Sequence, residues 1–133
     1  MPRPHCQRRI AGRPRVQVFK PRGVAMNELA EVHLQADAWE ALRLCDYEGL
    51  DQEQAAARMG VSRPTISRIL ERGRAAVAKA LVEGCSLLID LPADAVQECA
   101  DCRGSWPGPA AHVRCPACGS CRMHLLLNPA DRT

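Results

Sequence analysis

Residues 52–71 read QEQAAARMGVSRPTISRILE, and this stretch sets the architecture expected for the first two thirds of the chain. Its alanines allow two helices to approach each other closely, and Gly60 tolerates the positive φ of a tight turn. Asp51 and Gln54 have the spacing of a capping box at the start of the first helix, and Ser62 is a suitable cap for the second. The pattern therefore predicts a helix, a tight turn and a second helix.

The start of the second helix has a basic outward face. Ile66 and Ile69 fall on the side that faces the first helix, and the outward residues near the start of the second helix are arginine, threonine and serine. Arg, Thr and Ser side chains donate hydrogen bonds to phosphates and base edges, and in DNA-binding helix-turn-helix motifs this end of the helix enters the major groove. The residues predicted to contact double-stranded DNA are Arg63, Thr65, Ser67, Arg68 and Arg72. An ordinary helical hairpin with a basic face is the alternative, but the agreement of cap, turn, core and outward face favours DNA binding.

Two further helices are predicted before this motif. The first is short and covers residues 26–34. The second begins at a capping box, in which Asp37 accepts from the backbone and Glu40 reaches back, and it ends at Gly49. These helices would pack against the motif and complete a small helical core.

After the motif, the second helix should continue through apolar residues three and four apart to about Gly84. Residues 86–91 form a candidate strand, which Pro92 closes. The predicted helix-turn-helix domain therefore covers residues 24–92.

The N-terminal segment 1–23 is basic and rich in proline, so we interpret it as an extended arm that includes at most one short strand, Val16 to Phe19. Residues 1–27 contain seven Lys or Arg and no acid, whereas the following 24 residues contain seven acids and one arginine. A charge distribution this uneven favours a polyanionic partner. Arg13 and Arg15 are accordingly predicted to contact DNA.

This region also resembles a known family. The residues that carry the resemblance are Leu42-Arg43-Leu44, Asp46, Glu48-Gly49-Leu50, Gln52-Glu53, Ala55-Ala56, Met59-Gly60-Val61-Ser62-Arg63, Thr65 and Ser67-Arg68-Ile69-Leu70, with Phe19-Lys20-Pro21 and Gly23 nearer the N-terminus. Residues 2–90 thereby resemble the domain-of-unknown-function 134 family of bacteria and archaea, also catalogued as uncharacterised protein family 0251. The resemblance implies DNA binding by a helix-turn-helix similar to the promoter-reading fourth region of bacterial sigma factors. The chain departs from the family's usual pattern at Trp39 and Cys45, which both fall on the core side of a helix.

Two pairs of cysteines near the C-terminus have the spacing of metal-binding knuckles. Cys99 and Cys102 form one C-x-x-C pair, Cys115 and Cys118 form the other, and twelve residues separate the pairs. Four thiolates at this spacing are typical of a structural tetrahedral Zn²⁺ site. Because so short a segment buries little apolar surface, metal binding would supply its folding free energy. The sequence predicts a zinc-ribbon-like β-hairpin domain over residues 95–127.

Two further residues leave the ligand set open. Cys121 extends the second pair to C-x-x-C-x-x-C, which keeps an iron–sulfur cluster as the alternative cofactor. The fourth cysteine and the trailing proline of such a run are missing, so zinc is preferred. His124 is an alternate ligand, although its position in a hairpin favours a solvent-facing side chain. Cys45 is expected in the core, and Cys6 and Cys85 receive no role.

Composition narrows the fold and the function. The 133 residues include only four aromatics, and alanine and leucine supply most of the apolar content, so we predict a mainly α fold followed by the ribbon. Phosphate-binding loops and hydrolase or metalloprotease motifs are missing, so an enzyme is not expected. No apolar run approaches the ~18 residues of a membrane helix, and no signal peptide is recognisable, so we expect a cytoplasmic protein.

Three functions fit this arrangement. The preferred one is a transcriptional regulator that binds specific DNA sequences and carries a structural zinc site. The alternatives are a metal- or redox-responsive sensor, in which Cys121 makes the site labile, and an adaptor whose ribbon binds RNA polymerase. The strand-like segment 86–91 is a candidate element for a homodimer, because many helix-turn-helix proteins read paired half-sites.

Overall fold

The computed structural model describes residues 7–107 and 114–127 of the chain. Within them, the elements are β1 (Arg8–Ile10), β2 (Val18–Phe19), β3 (Glu31–Gln35), α1 (Ala36–Leu42), α2 (Gln52–Met59), α3 (Arg63–Glu83), β4 (Ser86–Asp90), β5 (Val96–Cys99), β6 (Ser105–Pro107) and β7 (Met123–Leu127). A 3₁₀ helix (Met26–Glu28) precedes β3, and a π-helical turn (Arg43–Tyr47) extends α1.

The described residues form two β-sheets beside three α-helices, so the predicted mainly α fold is wrong. One sheet has the strand order β1-β7-β5-β6, and the other has the order β2-β4-β3. Each strand has two to five residues. Apart from β2 and β4, strands this short show too few alternations for the sequence pattern to predict them. Except for the pairing of β5 with β6, the paired strands lie far apart along the chain.

The helix predicted over 26–34 is also wrong beyond Glu28. In β3, Val32 and Leu34 are buried while the residues between them are exposed, which is the alternation of a half-buried strand. Strand β3 lies parallel to β4, and the whole of α1, α2 and α3 forms the connection between these two strands. The crossover places the helices against this sheet.

The predicted capping box at Asp37 does not form. Because β3 leads directly into α1, the helix begins at Ala36 with Gln35 as its cap residue and no side-chain cap. Asp37 and Glu40 are both buried, at 6% and 2% exposure, and bind side chains elsewhere. The two acids whose spacing suggests a cap are therefore buried carboxylates that pair with arginines.

The helix, turn and helix over 52–83 form as predicted. Asp51 and Gln54 complete the capping box, and Gly60 adopts the left-handed conformation with φ of 70°. The Ser62 side chain accepts from the backbone N–H of Thr65 at the start of α3. The turn between the helices consists of three residues, as in helix-turn-helix units generally.

The main core lies where α1 and α3 cross. Gly73 permits this contact, since a Cβ atom at that position would lie 3.1 Å from the Cβ of Ala38. Ala55 and Ala56 of α2 are buried against the same core, as their small size predicts. The largest buried side chains here are Leu44, Met59, Ile66, Ile69 and Leu70.

Part of the predicted N-terminal arm is built into the sheets. In β1, Arg8, Arg9 and Ile10 pair antiparallel with Leu127, Leu126 and Leu125 of β7. Strand β2, within the predicted strand over 16–19, pairs with β4. The first six residues of the arm, with Cys6, lie outside the described residues.

Strand β4 confirms the strand predicted over 86–91, but it lies in the centre of its sheet. It pairs along its whole length with β3, and Leu87 and Leu88 pair with β2. Most of its backbone groups are therefore hydrogen-bonded within the chain, which removes the reason for proposing it as a dimer strand.

Candidate functional site

The first pair of cysteines lies in the turn between β5 and β6. Cys99 is the last residue of β5, and its backbone N–H donates to the carbonyl of Gly104, 2.9 Å away. A Cβ at position 104 would lie 2.9 Å from the Trp106 ring and 3.4 Å from the sulfur of Cys102. Glycine is therefore required for the turn to fold back over its own cysteine.

The second pair lies in a turn that leads into β7. The backbone N–H of Gly119 donates to the carbonyl of Cys115 at 2.8 Å, and the N–H of Cys115 donates to the carbonyl of Ser120 at 2.7 Å. Gly119 has a φ of 77°, a conformation that other residues rarely adopt. Residues 108–113 before this turn, which belong to the β-hairpin domain predicted over 95–127, lie outside the described residues.

The structure brings the four predicted cysteines together. Their Sγ atoms all lie within 4.8 Å of one another. Across the two turns, Cys99 Sγ is 3.6 Å from Cys118 Sγ, and Cys102 Sγ is 3.5 Å from Cys115 Sγ. Cys99 and Cys115 are buried, whereas Cys102 and Cys118 are exposed. This cluster can hold a metal ion.

Two of the four thiols, those of Cys99 and Cys115, have a lowered pKa and so ionise more readily. The backbone N–H of Cys102 lowers the pKa of Cys99. Burial raises the pKa of Cys115, but the backbone N–H groups of Cys118 and Ala117, both 3.3 Å from its Sγ, outweigh burial and lower the pKa to about 7. Thiolate is the form that binds metal ions.

The other two thiols are held in the neutral form. The backbone N–H of Gly104 lowers the pKa of Cys102, but the hydrogen bond to Cys115 and burial raise it further, so the net shift is upward. The Ser120 N–H likewise lowers the pKa of Cys118, while burial and the neighbouring thiols raise it to about 12. Four thiolates this close repel one another, so full ionisation of the cluster requires a cation among them.

The two alternate ligands lie outside the cluster. Cys121 is exposed and does not belong to the group of mutually close donor atoms. His124 is 9% exposed, so the expectation that it faces solvent is wrong; its Nε2 lies 2.8 Å from Oε1 of Glu98.

The residues predicted to contact DNA do not all share one surface. Arg63, Ser67 and Arg68 are exposed at the start of α3, and Thr65 is half-buried beside them. Arg72 turns away, since its Nη2 donates to Oδ1 of Asp37 at 2.6 Å.

The two arginines of the N-terminal segment occupy a different surface. Arg13 and Arg15 are exposed along a groove that also includes the aromatic rings of Phe19, Trp39 and Tyr47. Sequence reasoning placed the arginines correctly at the surface but gave no indication of this groove.

A buried ion-pair cluster was missed by the sequence analysis. Asp37 binds Arg72 and also lies 3.4 Å from Nη1 of Arg8, whose side chain is 8% exposed. Glu40 binds Arg43 and accepts from the backbone N–H of Ala11 at 2.9 Å. The basic character of the N-terminal segment is the signal that could have suggested acidic partners within the chain.

Fold and site together define a small α/β protein in which a turn-linked pair of helices and a four-cysteine candidate metal centre share one chain. This chain belongs to the family described as "Protein of unknown function DUF134", whose family model matches residues 1–92. The matched range ends before Cys99, the first cysteine of the cluster, so the match to the family model covers the helices and the first four strands but not the cysteine cluster.

Similarity to individual relatives extends further along the chain. A "UPF0251 protein" of Syntrophobacter fumaroxidans is 42% identical over 127 residues, which cover 89% of this chain and 81% of that protein. A "UPF0251 protein" of Moorella thermoacetica is 46% identical over 126 residues, covering 90% and 84%. One from Methanothermobacter thermautotrophicus is 42% identical over 131 residues, covering 95% and 68%. No solved structure gives a significant match to the chain.

In the part of the chain that the structure describes, no helix is long and apolar enough to cross a bilayer.

Proposed function

We propose that this protein is a transcriptional regulator that binds specific sequences in double-stranded DNA through the start of α3. The observation that carries the proposal is the exposed face formed by Arg63, Ser67 and Arg68 on a helix start that Ser62 caps. On the opposite side of the helix, Ile66 and Ile69 are buried in the same core as Ala55 and Ala56 of α2. Arginine and serine side chains on a rigid helix suit contacts with phosphates and with base edges in the major groove.

The local geometry supports a preorganised contact surface. The Thr65 hydroxyl oxygen lies 2.9 Å from the Ser62 hydroxyl and 3.4 Å from Nη2 of Arg68. The dipole at a helix start also attracts phosphate. Arg72 is excluded from the proposed face, because it neutralises the buried Asp37.

We further propose that the cysteine cluster holds one zinc ion with a structural role. In a tetrahedral site with Zn–S bonds of ~2.3 Å, neighbouring sulfurs lie about 3.8 Å apart. The observed separations of 3.5 and 3.6 Å, with all four sulfurs within 4.8 Å, are close to this value. In an iron–sulfur cluster the four cysteines are divided among two or four iron atoms and are spread further apart, so the short distances favour a single ion.

Elemental analysis of the purified full-length protein tests the metal proposal. One zinc per chain and a colourless protein are expected. Iron with inorganic sulfide, accompanied by visible absorption, would overturn the zinc proposal in favour of a cluster.

Selection from a pool of random duplexes, followed by titration of the enriched duplex, tests the DNA proposal. The metal-loaded protein should enrich a defined motif. Its log affinity should fall linearly with log salt, with a slope of about 0.9 for each phosphate contact. Failure to enrich any motif, together with affinity no stronger for selected than for random duplexes, would contradict sequence-specific binding.

A further inference from the structure

A groove of about 730 Å³ lies between α2 and the sheet that carries the cysteine cluster. This volume falls within the range of small-molecule sites. The groove is formed by β1, the end of α1, α2 and β7, so it exists only when the N-terminal strand and the cysteine-bearing sheet are both in place. It lies apart from the residues proposed to contact DNA, none of which lines it.

The groove carries a net positive charge. Glu40 is the only acid among the described residues that line it, and Arg43 binds both of its carboxylate oxygens, at 2.7 and 3.0 Å. Arg9, Arg58 and Arg122 therefore contribute positive charge without compensation from within the groove.

These three arginines are available to a ligand. Arg9 and Arg58 are exposed, and neither has an ion-pair partner among the described residues. Arg122 pairs with Asp101 outside the groove at 2.9 Å, but both side chains are largely exposed, at 70% and 41%. Exposed pairs of this kind contribute little free energy, so Arg122 can exchange its partner for a ligand at small cost.

Apolar side chains also line the groove. Leu50 and Met123 are half-buried there, and Ala57 of α2 and Ala100 next to β5 line it as well. A DNA backbone would supply phosphates to the arginines but nothing to cover these apolar side chains. A lining that combines apolar side chains with cations suits a molecule that is itself part apolar and part anionic.

We propose that this groove binds a small organic anion, with its apolar body against Leu50 and Met123 and a phosphate, sulfonate or carboxylate group at Arg9, Arg58 and Arg122. Such a ligand would contact residues directly beside the cysteine cluster, since Ala100 follows Cys99 and its N–H donates to the carbonyl of Arg122 at 2.9 Å. It would simultaneously contact α2, and so would stabilise the arrangement of the helices relative to the sheet. The inference goes beyond DNA binding and does not depend on it.

Fluorescence titration of the metal-loaded full chain with 8-anilinonaphthalene-1-sulfonate tests the inference, because this probe combines an apolar body with one anionic group. Saturable binding of one probe per chain is expected. The neutral analogue N-phenyl-1-naphthylamine, which has the same rings without the sulfonate, should bind much more weakly. Equal binding of the two probes, or binding that does not saturate, would overturn the proposal.

Arginine variants locate the bound probe. Arg9→Ala and Arg58→Ala should each weaken binding by about tenfold, the effect of losing one charge-assisted hydrogen bond. Lys79→Ala removes an exposed cation from α3 outside the groove and should leave binding unchanged. Both arginine side chains are exposed, so folding, followed by circular dichroism, should be unaltered. Equal affinity in the Arg58 and Lys79 variants would overturn the assignment.

A competition experiment with duplex DNA separates this inference from the proposed function. Arg68→Ala should weaken DNA binding and leave probe binding unchanged. If a duplex displaces the probe, and if displacement depends on Arg58, the groove belongs to the DNA backbone and the small-ligand proposal is overturned. If no duplex binds at all but the probe results hold, the DNA proposal fails while the groove proposal stands.

Discussion

Ile10 in β1 is the register partner of Leu125 in β7, so the first and the last strand of the described residues pair in one sheet. Both side chains are buried, at 0% and 2% exposure, and they pack with Ala36 at the start of α1. The cysteine-bearing sheet is therefore joined to the helices through a strand of the N-terminal segment.

Replacing Ile10 by alanine tests this connection. Ile10→Ala should lower the free energy of unfolding by about 2–5 kcal/mol, because it leaves a cavity between the sheet and α1. Val16→Ala removes an apolar side chain of similar type that is 52% exposed, and it should have little effect. Urea unfolding measures both variants. Equal stability of the two variants would show that β1 does not connect the cysteine-bearing sheet to the helices.

Removal of one metal ligand should disturb more than the metal site. Cys115→Ser leaves an open site, so the proposed zinc ion should be lost and amide exchange should accelerate in β5, β6 and β7. Because β7 pairs with β1, exchange should also accelerate in β1.

Cys121→Ser is the matched control, since this thiol lies outside the cluster. It should retain one metal ion per chain and the exchange pattern of the unaltered protein. Metal lost from the Cys121 variant but kept in a Cys118→Ser variant would mean that the fourth ligand is assigned wrongly.

The buried carboxylate of Asp37 should be essential for stability. It accepts from Arg72 and lies next to the buried Arg8, so Asp37→Asn removes the carboxylate charge that both arginines face. A loss of about 3–5 kcal/mol in the free energy of unfolding is expected. Asp46→Asn breaks the ion pair between Asp46 and Arg74, two side chains that are both about half exposed. This substitution should lower the free energy of unfolding by less than about 1 kcal/mol. Similar losses in both variants would contradict this reading of the ion-pair cluster.

The contact between α1 and α3 should tolerate no larger residue at position 73. Gly73→Val places atoms against Ala38, where even a Cβ would lie 3.1 Å away, so overpacking should cost about 1–3 kcal/mol. Ala78→Val introduces valine at an exposed position of the same helix and should cost only ~0.5 kcal/mol. Thermal unfolding of both variants provides the comparison; a Gly73 variant as stable as the Ala78 variant would exclude close packing here.

His33 should titrate above its usual range. A hydrogen bond to Asp90, 3.0 Å from Nδ1, and the nearby Glu31 carboxylate raise the pKa of His33 above 6.5. Its contribution to stability is therefore fully present below pH 6.5 and is lost as the pH rises through the higher pKa of the folded state. An NMR titration should give a value that falls toward 6.5 in Asp90→Asn. An unchanged pKa in that variant would show that the ion pair does not form in solution.

The features that were predictable from sequence depend on local interactions. The cap at Asp51, the turn at Gly60 and the cap at Ser62 each involve residues within four positions of one another. The cysteine cluster was predictable for a different reason, because C-x-x-C spacing fixes two ligands within one turn and leaves only the pairing of the turns to the fold.

The features that were missed depend on distant partners. Nothing near Arg8 in the sequence indicates that β1 pairs with a strand at the opposite end of the chain. Asp37 has the local pattern of a cap, and only the approach of Arg72 from α3 makes it the centre of a buried ion-pair cluster. The mainly α expectation failed for the same reason, because strands of a few residues are stabilised by pairing and not by their own sequence.

The most direct test of the proposed function compares Arg68→Ala with Lys79→Ala on a duplex selected by the metal-loaded protein. Both variants remove one exposed cation from α3, but only Arg68 lies on the proposed contact face. Arg68→Ala is expected to weaken specific binding by about 1–3 kcal/mol, with unchanged circular dichroism, while Lys79→Ala retains full affinity. Equal affinity of the two variants for the selected duplex would contradict DNA recognition by the start of α3.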